Sequence, residues 1–215
     1  MLFATVSAIN FAGCLIRRVP RSTTVLFTTL LRSNFSSVAI TSANHVTLDD
    51  DTGGVEMAAS TVSGNLSLTT VGAITQTGVL NVTGTSSFNT GAAAITLNQS
   101  NLFSGAVSLT NTGIFDVAIR DADALILDTS SIGRDLTVNT TGSITQVGAL
   151  TVAGGLTTLA AGAANDIVLD TAGNNFSSVA ITSANHVTLD DDTGGVEMAA
   201  STVSGNLSLT TVGAI

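Results

Sequence analysis

The chain has 215 residues, 44% of them hydrophobic and only 10% charged, with one Cys, one Pro, no Trp or Tyr, and a formal charge of -9. All six basic residues are arginines, which excludes a phosphate-loop lysine and a Schiff-base lysine, and six arginines against 15 acids deprive nucleic-acid binding of its basic footprint. A single Cys excludes an internal disulfide and a Cys-rich zinc site, and so many apolar residues with so few charges argue against disorder.

Residues 1–33 hold four of the six arginines, Cys14 and Pro20. The apolar stretch Met1–Ile16 comes first and Arg17, Arg18 and Arg21 come after it, the reverse of a secretory signal. It falls short of the roughly 20 apolar residues that span a bilayer, so no stable membrane span is predicted. Were it to insert, the arginines would stay cytoplasmic and retain the rest of the chain inside the cell. Phe11-Ala12-Gly13-Cys14 faintly resembles a lipoprotein cleavage box, but Phe11 stands where an aliphatic residue is expected and the basic start is missing. Residues 1–33 are therefore read as an atypical leader and not as a convincing signal peptide.

Composition changes at Asn34. Residues 34–215 carry two arginines against all 15 acids. Asn34–Ile74 (NFSSVAITSANHVTLDDDTGGVEMAASTVSGNLSLTTVGAI) recurs letter for letter as Asn175–Ile215, an offset of 141. Asn65–Val82 matches Asp135–Val152 less closely at an offset of 70, and Phe35, Phe103 and Phe176 each open a similar segment. The repeat unit is thus about 70 residues. The chain stops inside the second copy, so it is read as a piece of a longer array. Within each unit the pattern alternates apolar and polar, as in Val46-Thr47-Leu48, Leu66-Ser67-Leu68, Leu80-Asn81-Val82, Ile95-Thr96-Leu97 and Leu136-Thr137-Val138. Such period-two runs separated by Thr-Gly, Gly-Asn and Gly-Gly turns predict short strands with one buried face, and no stretch beyond residue 33 keeps a helical period.

The expected fold is all-β, with residues 34–215 as a parallel β-solenoid; tandem β-sandwiches are the alternative. A sandwich needs about 100 residues and usually a buried Trp or a corner Tyr, whereas this unit is shorter and has neither. GNLSLTTVGAITQTGVLNVTG and RDLTVNTTGSITQVGALTVAGG resemble the shafts of filamentous-haemagglutinin-like adhesins and autotransporter passenger domains. That resemblance covers Asn34–Ile215 and rests on composition and repetition. It implies a right-handed parallel β-helix on a cell surface or secreted, used in adhesion toward a host-cell, matrix or polysaccharide surface. The family's secretion domain carries Asn-Pro motifs, which this chain lacks.

Candidate chemistry is sparse. Asp51-Thr52-Gly53 and Asp192-Thr193-Gly194 spell the aspartic-protease triplet, yet each follows two further acids and is copied by the repeat; an acidic turn closing a strand His45–Leu48 is the plainer reading. Asp49, Asp50, Asp51, Asp190, Asp191 and Asp192 are candidate calcium ligands, since Ca²⁺ takes carboxylate oxygens; Asp121, Asp123 and Asp128 form a second patch. Neither has EF-hand spacing or the nonapeptide calcium repeat. His45 and His186 are one residue in two copies, with no second ligand spaced to either. Pectate-lyase-like solenoid enzymes resemble the expected fold and use carboxylate-bound Ca²⁺ with basic residues, for which Arg120 beside Asp116, Asp121 and Asp123 is the one candidate constellation. Asn65, Asn81 and Asn139 begin glycosylation-type triplets, which a chain rich in Ser, Thr and Asn forms by chance. The expectation is a non-catalytic structural and adhesive segment without a required cofactor. A coil left uncovered at Gly205–Ile215 is expected to fray or to self-associate.

Overall fold

The computed structural model describes residues 34–215; the expectations for residues 1–33, Cys14 among them, lie outside the described residues. These residues form twenty-one strands and no helix, so none is long and apolar enough to cross a membrane. Every strand pairing is parallel. Sandwiches are built from antiparallel sheets, which removes the sandwich alternative. The chain is a β-solenoid of about nine turns.

The turn length follows from the register. Val46 pairs with Leu66, Leu66 with Ser86 and Ser86 with Val107, steps of 20, 20 and 21 residues. A second row runs Val55, Ile74, Ile95, Val117, Leu136, Thr157, Val179 and Met198, seven steps along the solenoid. From Val46 to Val82 each turn carries three short strands, as in Val46–Asp50, Val55–Met57 and Ser60–Val62, and in the next turn the second and third merge into Ile95–Phe103. The stack then redistributes: the strand Val107–Asn111 pairs onward with both Leu125–Leu127 and Ser130–Ile132.

Alternation explains the interior. Strand side chains point to opposite faces in turn, so Val46, Leu48, Leu66, Leu68, Val117 and Ile119 point inward and form one continuous core with the aliphatic residues of every turn. Phe88 and Phe103 meet edge to face, with ring centroids 5.9 Å apart. Small corners let the turns close on one another. A Cβ on Gly105 would lie 2.4 Å from the carbonyl oxygen of Gly84, and one on Gly84 would lie 2.5 Å from the carbonyl carbon of Gly64. Glycine at these positions is a requirement of backbone contact between turns, in addition to turn chemistry.

Candidate functional site

The strand predicted to end at Leu48 continues to Asp50. Asp50 is therefore in phase with Val46 and Leu48 and is fully buried, while Asp49 is half-buried and Asp51 exposed. Alternation splits the acidic triplet between inside and outside. The buried carboxylate accepts hydrogen bonds from the Phe35 N–H (2.8 Å), the Thr52 N–H (3.0 Å) and the Thr52 hydroxyl. Asp191 repeats the arrangement, accepting from the Phe176 N–H at 2.8 Å, and Asp121 does so with the Phe103 N–H at 3.0 Å. Each of the three segment-opening phenylalanines thus has its amide held by an inward aspartate about one turn later. A buried carboxylate is tolerable only when such donors replace its water. Burial pushes the Asp121 carboxyl above its ordinary value, opposed by the Phe103 and Asp123 N–H groups.

A second buried device joins an asparagine and a glutamine. Asn101 and Asn174 are both fully buried. The Gln76 amide donates to Asn101 Oδ1 at 2.8 Å and Asn101 Nδ2 donates back to Gln76 Oε1 at 3.0 Å. Gln146 and Asn174 form the same reciprocal pair at 2.9 and 3.0 Å. Each asparagine also accepts the N–H that opens a strand, from Leu80 and Leu150, and donates to carbonyls of Leu97 and Arg120 or of Leu169 and Asp190. Its hydrogen-bonding capacity is spent on tying neighbouring turns together. Sequence reasoning missed these residues, although Ile-Thr-Gln recurs at Ile74–Gln76 and Ile144–Gln146 with the same offset of 70 that marks the repeat unit.

The remaining candidates are dispersed. Asp51 and Asp192 are exposed and seven stacking steps apart, about 34 Å at roughly 4.8 Å per step, so the two Asp-Thr-Gly triplets are not neighbours. Asp192 accepts the Gly173 N–H. Asp190 is half-buried within the strand Val187–Asp191. No three His, Cys, Asp or Glu side chains among the described residues are grouped to hold a metal ion. His45 Nδ1 accepts the Asn65 N–H and His186 Nδ1 the Asn206 N–H, both at 3.0 Å, so each imidazole links one turn to the next.

The Arg120 constellation is not assembled. In the strand Val117–Asp121, Arg120 points outward and Asp121 inward, on opposite faces. Asp116 is paired instead with Arg134 through both guanidinium Nε and Nη2, and the adjacent Asp135 lies 3.9 Å from the same guanidinium. The Arg134 hydrogen bond holds the Asp116 carboxyl below its ordinary value, and Asp116 in turn raises the Arg134 guanidinium. Asp123 and Asp128 carboxylates cap the local N–H groups of Ala124 and Thr129.

Fold and buried devices together define a repeat β-solenoid whose inward polar residues recur about every 70 residues. The chain belongs to the family described as repeats of unknown function (DUF5649), which matches residues 43–110, 115–183 and 184–215. No curated protein and no solved structure matches the chain.

Proposed function

We propose that this chain is a structural and adhesive segment of a large repetitive surface or secreted protein, similar in role to the shafts of filamentous-haemagglutinin-like adhesins. It acts by length and by presenting its outer faces toward a host-cell, matrix or polysaccharide surface, with no residue assigned to catalysis and no resident cofactor. The observation that carries this reading is that the polar groups most removed from water are copied with the scaffold and engaged in holding turns together, as at Asp50, Asp121, Asp191, Asn101 and Asn174. An enzyme site is unique along its chain, whereas these recur. The outward rows support it too: Thr47, Ser67, Ser87 and Ser108 stand in register, as do Asp49, Thr69, Asn89 and Thr110, a surface of small hydroxyl, amide and carboxylate groups suited to polar contacts.

Beads coated with the chain, set against beads coated with the same chain heat-denatured, test the reading on cultured cells, matrix proteins and a polysaccharide array. Fold-dependent retention on at least one surface is expected. Retention on none, together with release of unsaturated or reducing ends from an acidic polysaccharide, would replace the adhesive reading with an enzymatic one.

A further inference from the structure

We infer that His45 and His186 are acid-sensitive latches: the neutral imidazole fastens one turn of the solenoid to the next, and its protonation opens that link alone. The corner leading into the inward strands is built alike along the chain. The side chain just before a strand accepts the N–H of the residue one turn on, whose carbonyl accepts the first N–H of that strand. Asn65 Oδ1 takes the Thr85 N–H at 3.1 Å, while the Thr85 carbonyl takes the Leu66 N–H. Asp116 and Asp166 hold the Asp135 and His186 N–H groups at 3.3 and 3.0 Å, and Asp135 holds the Leu156 N–H at 2.9 Å. In the two copies the acceptor is an imidazole. His45 Nδ1 takes the Asn65 N–H and His186 Nδ1 the Asn206 N–H, both at 3.0 Å. The carbonyls of Asn65 and Asn206 in turn accept the Val46 and Val187 N–H groups at 2.8 Å.

An amide oxygen accepts at any pH, and carboxylates titrate only near about pH 4. An imidazole accepts only while one ring nitrogen is bare; once protonated, both nitrogens donate. Histidine is the side chain whose ordinary titration falls between about pH 5 and 8. Protonation therefore sets an Nδ1–H against the backbone N–H it had accepted. Each ring lies directly on the next turn, since a Cβ on Gly64 would stand 2.7 Å from His45 Nδ1 and one on Gly205 2.6 Å from His186 Nδ1. Both histidines are exposed to solvent protons. The residues that cover them, Gly64 and Asn65 or Gly205 and Asn206, carry no charge. On the turn before His186, Asp166 Oδ1 accepts the His186 N–H and the Asn185 amide; for His45 the corresponding positions lie outside the described residues. Asp49 and Asp50, or Asp190 and Asp191, stand further along the strands that follow. Among the described residues neither histidine is in an ion pair.

Amide hydrogen exchange on the full chain, followed by NMR and corrected for the intrinsic effect of pH, tests the inference between about pH 7.5 and 5. Protection at Asn65 and Asn206 is expected to fall by about tenfold. Protection at Thr85 and Leu156, held at the same corner by Asn65 and Asp135, is expected to stay unchanged. His45→Asn supplies the acceptor that Asn65 uses, so it is expected to keep Asn65 protected at both ends of the range; His186→Asn is expected to do the same for Asn206. Should a variant fail to fold, the ratio of Asn65 to Thr85 protection in the unaltered chain still decides. The inference is overturned by protection at Asn65 that does not change with pH, by an equal loss at Thr85 and Leu156, or by a pH step that survives His45→Asn.

Discussion

The residues 34–74 and 175–215 are the same 41 letters placed in two environments, and they do not form the same structure. The first copy begins with the two-residue strand Ser37–Val38; the second begins with Asn175–Ser183, nine residues long, because Leu150–Ala160 lies beneath it. At the other end the order reverses. Val55–Met57 is a buried three-residue strand, while Glu197–Met198 is a short, partly exposed one, and Ser60–Val62 is reduced to the single bridge of Val203 to Ala184. Local propensity is equal by construction, so the difference belongs to the neighbouring turns. Each turn of a solenoid is stable only against its neighbours, and here one sequence gives both the covered and the uncovered case.

The largest test of that comparison is a paired truncation. Leu68→Ala removes a side chain enclosed between two turns and is expected to cost about 3 kcal/mol. Leu209→Ala, the same residue in the second copy, is expected to cost under about 1 kcal/mol, since it is packed from one side. Urea unfolding midpoints of the two variants measure this; equal losses would mean that the terminal turn is as ordered as the inner ones. The aspartate braces are expected to behave oppositely. Asp50 and Asp191 are fully buried in both copies and each holds a phenylalanine N–H at 2.8 Å. Asp50→Ala and Asp191→Ala should therefore each cost about 2 kcal/mol, and amide exchange at Phe35 and Phe176 should accelerate together.

A smaller effect, of opposite sign, is expected outside the copies. Thr157 sits in the aliphatic row between Leu136 and Val179, and its hydroxyl is buried without a hydrogen-bond partner. Thr157→Val keeps the shape, removes the stranded oxygen and is expected to stabilise by about 1 kcal/mol, read as a higher melting temperature. The smallest expected effect concerns pH. Because the folded state raises Asp121, it takes up a proton before the unfolded state does, so stability rises as pH falls from the raised value toward the ordinary 3.8. Asp116 acts the other way: its stabilisation is present above 3.8 and is lost as pH falls through its lowered value. Urea midpoints against pH should show a shallow climb and then a fall. Asp121→Asn should abolish the climb, and Arg134→Ala should soften the fall.

Much of the architecture is legible in the sequence, and the reason is visible in particular strands. Val46-Thr47-Leu48 and Leu66-Ser67-Leu68 carry the alternation that parallel turns require, and the 41-residue copy at an offset of 141 announces stacking. The buried polar devices are harder to read because Asp, Asn and Gln belong by default to the surface. The phase of each strand holds the missing information: Asp50 follows Val46 and Leu48 at two-residue steps, and Asp121 follows Val117 and Ile119 in the same way. Arg120 and Asp121 are adjacent in sequence and for that very reason face opposite sides, which is why proximity along the chain does not assemble a constellation there. The partner of Asp116 comes from the next turn, 18 residues on, a distance that only the turn length could supply.

Because the strands lie across the solenoid, the hydrogen bonds between turns run along its length. Tension applied from one end to the other loads these bonds in series. Each turn that peels away frees about 20 residues, roughly 65–70 Å of extended chain, in place of the ~4.8 Å it occupied. The inward aspartates, and the asparagine–glutamine pairs beside them, then become periodic catches in the release, recurring about every 70 residues.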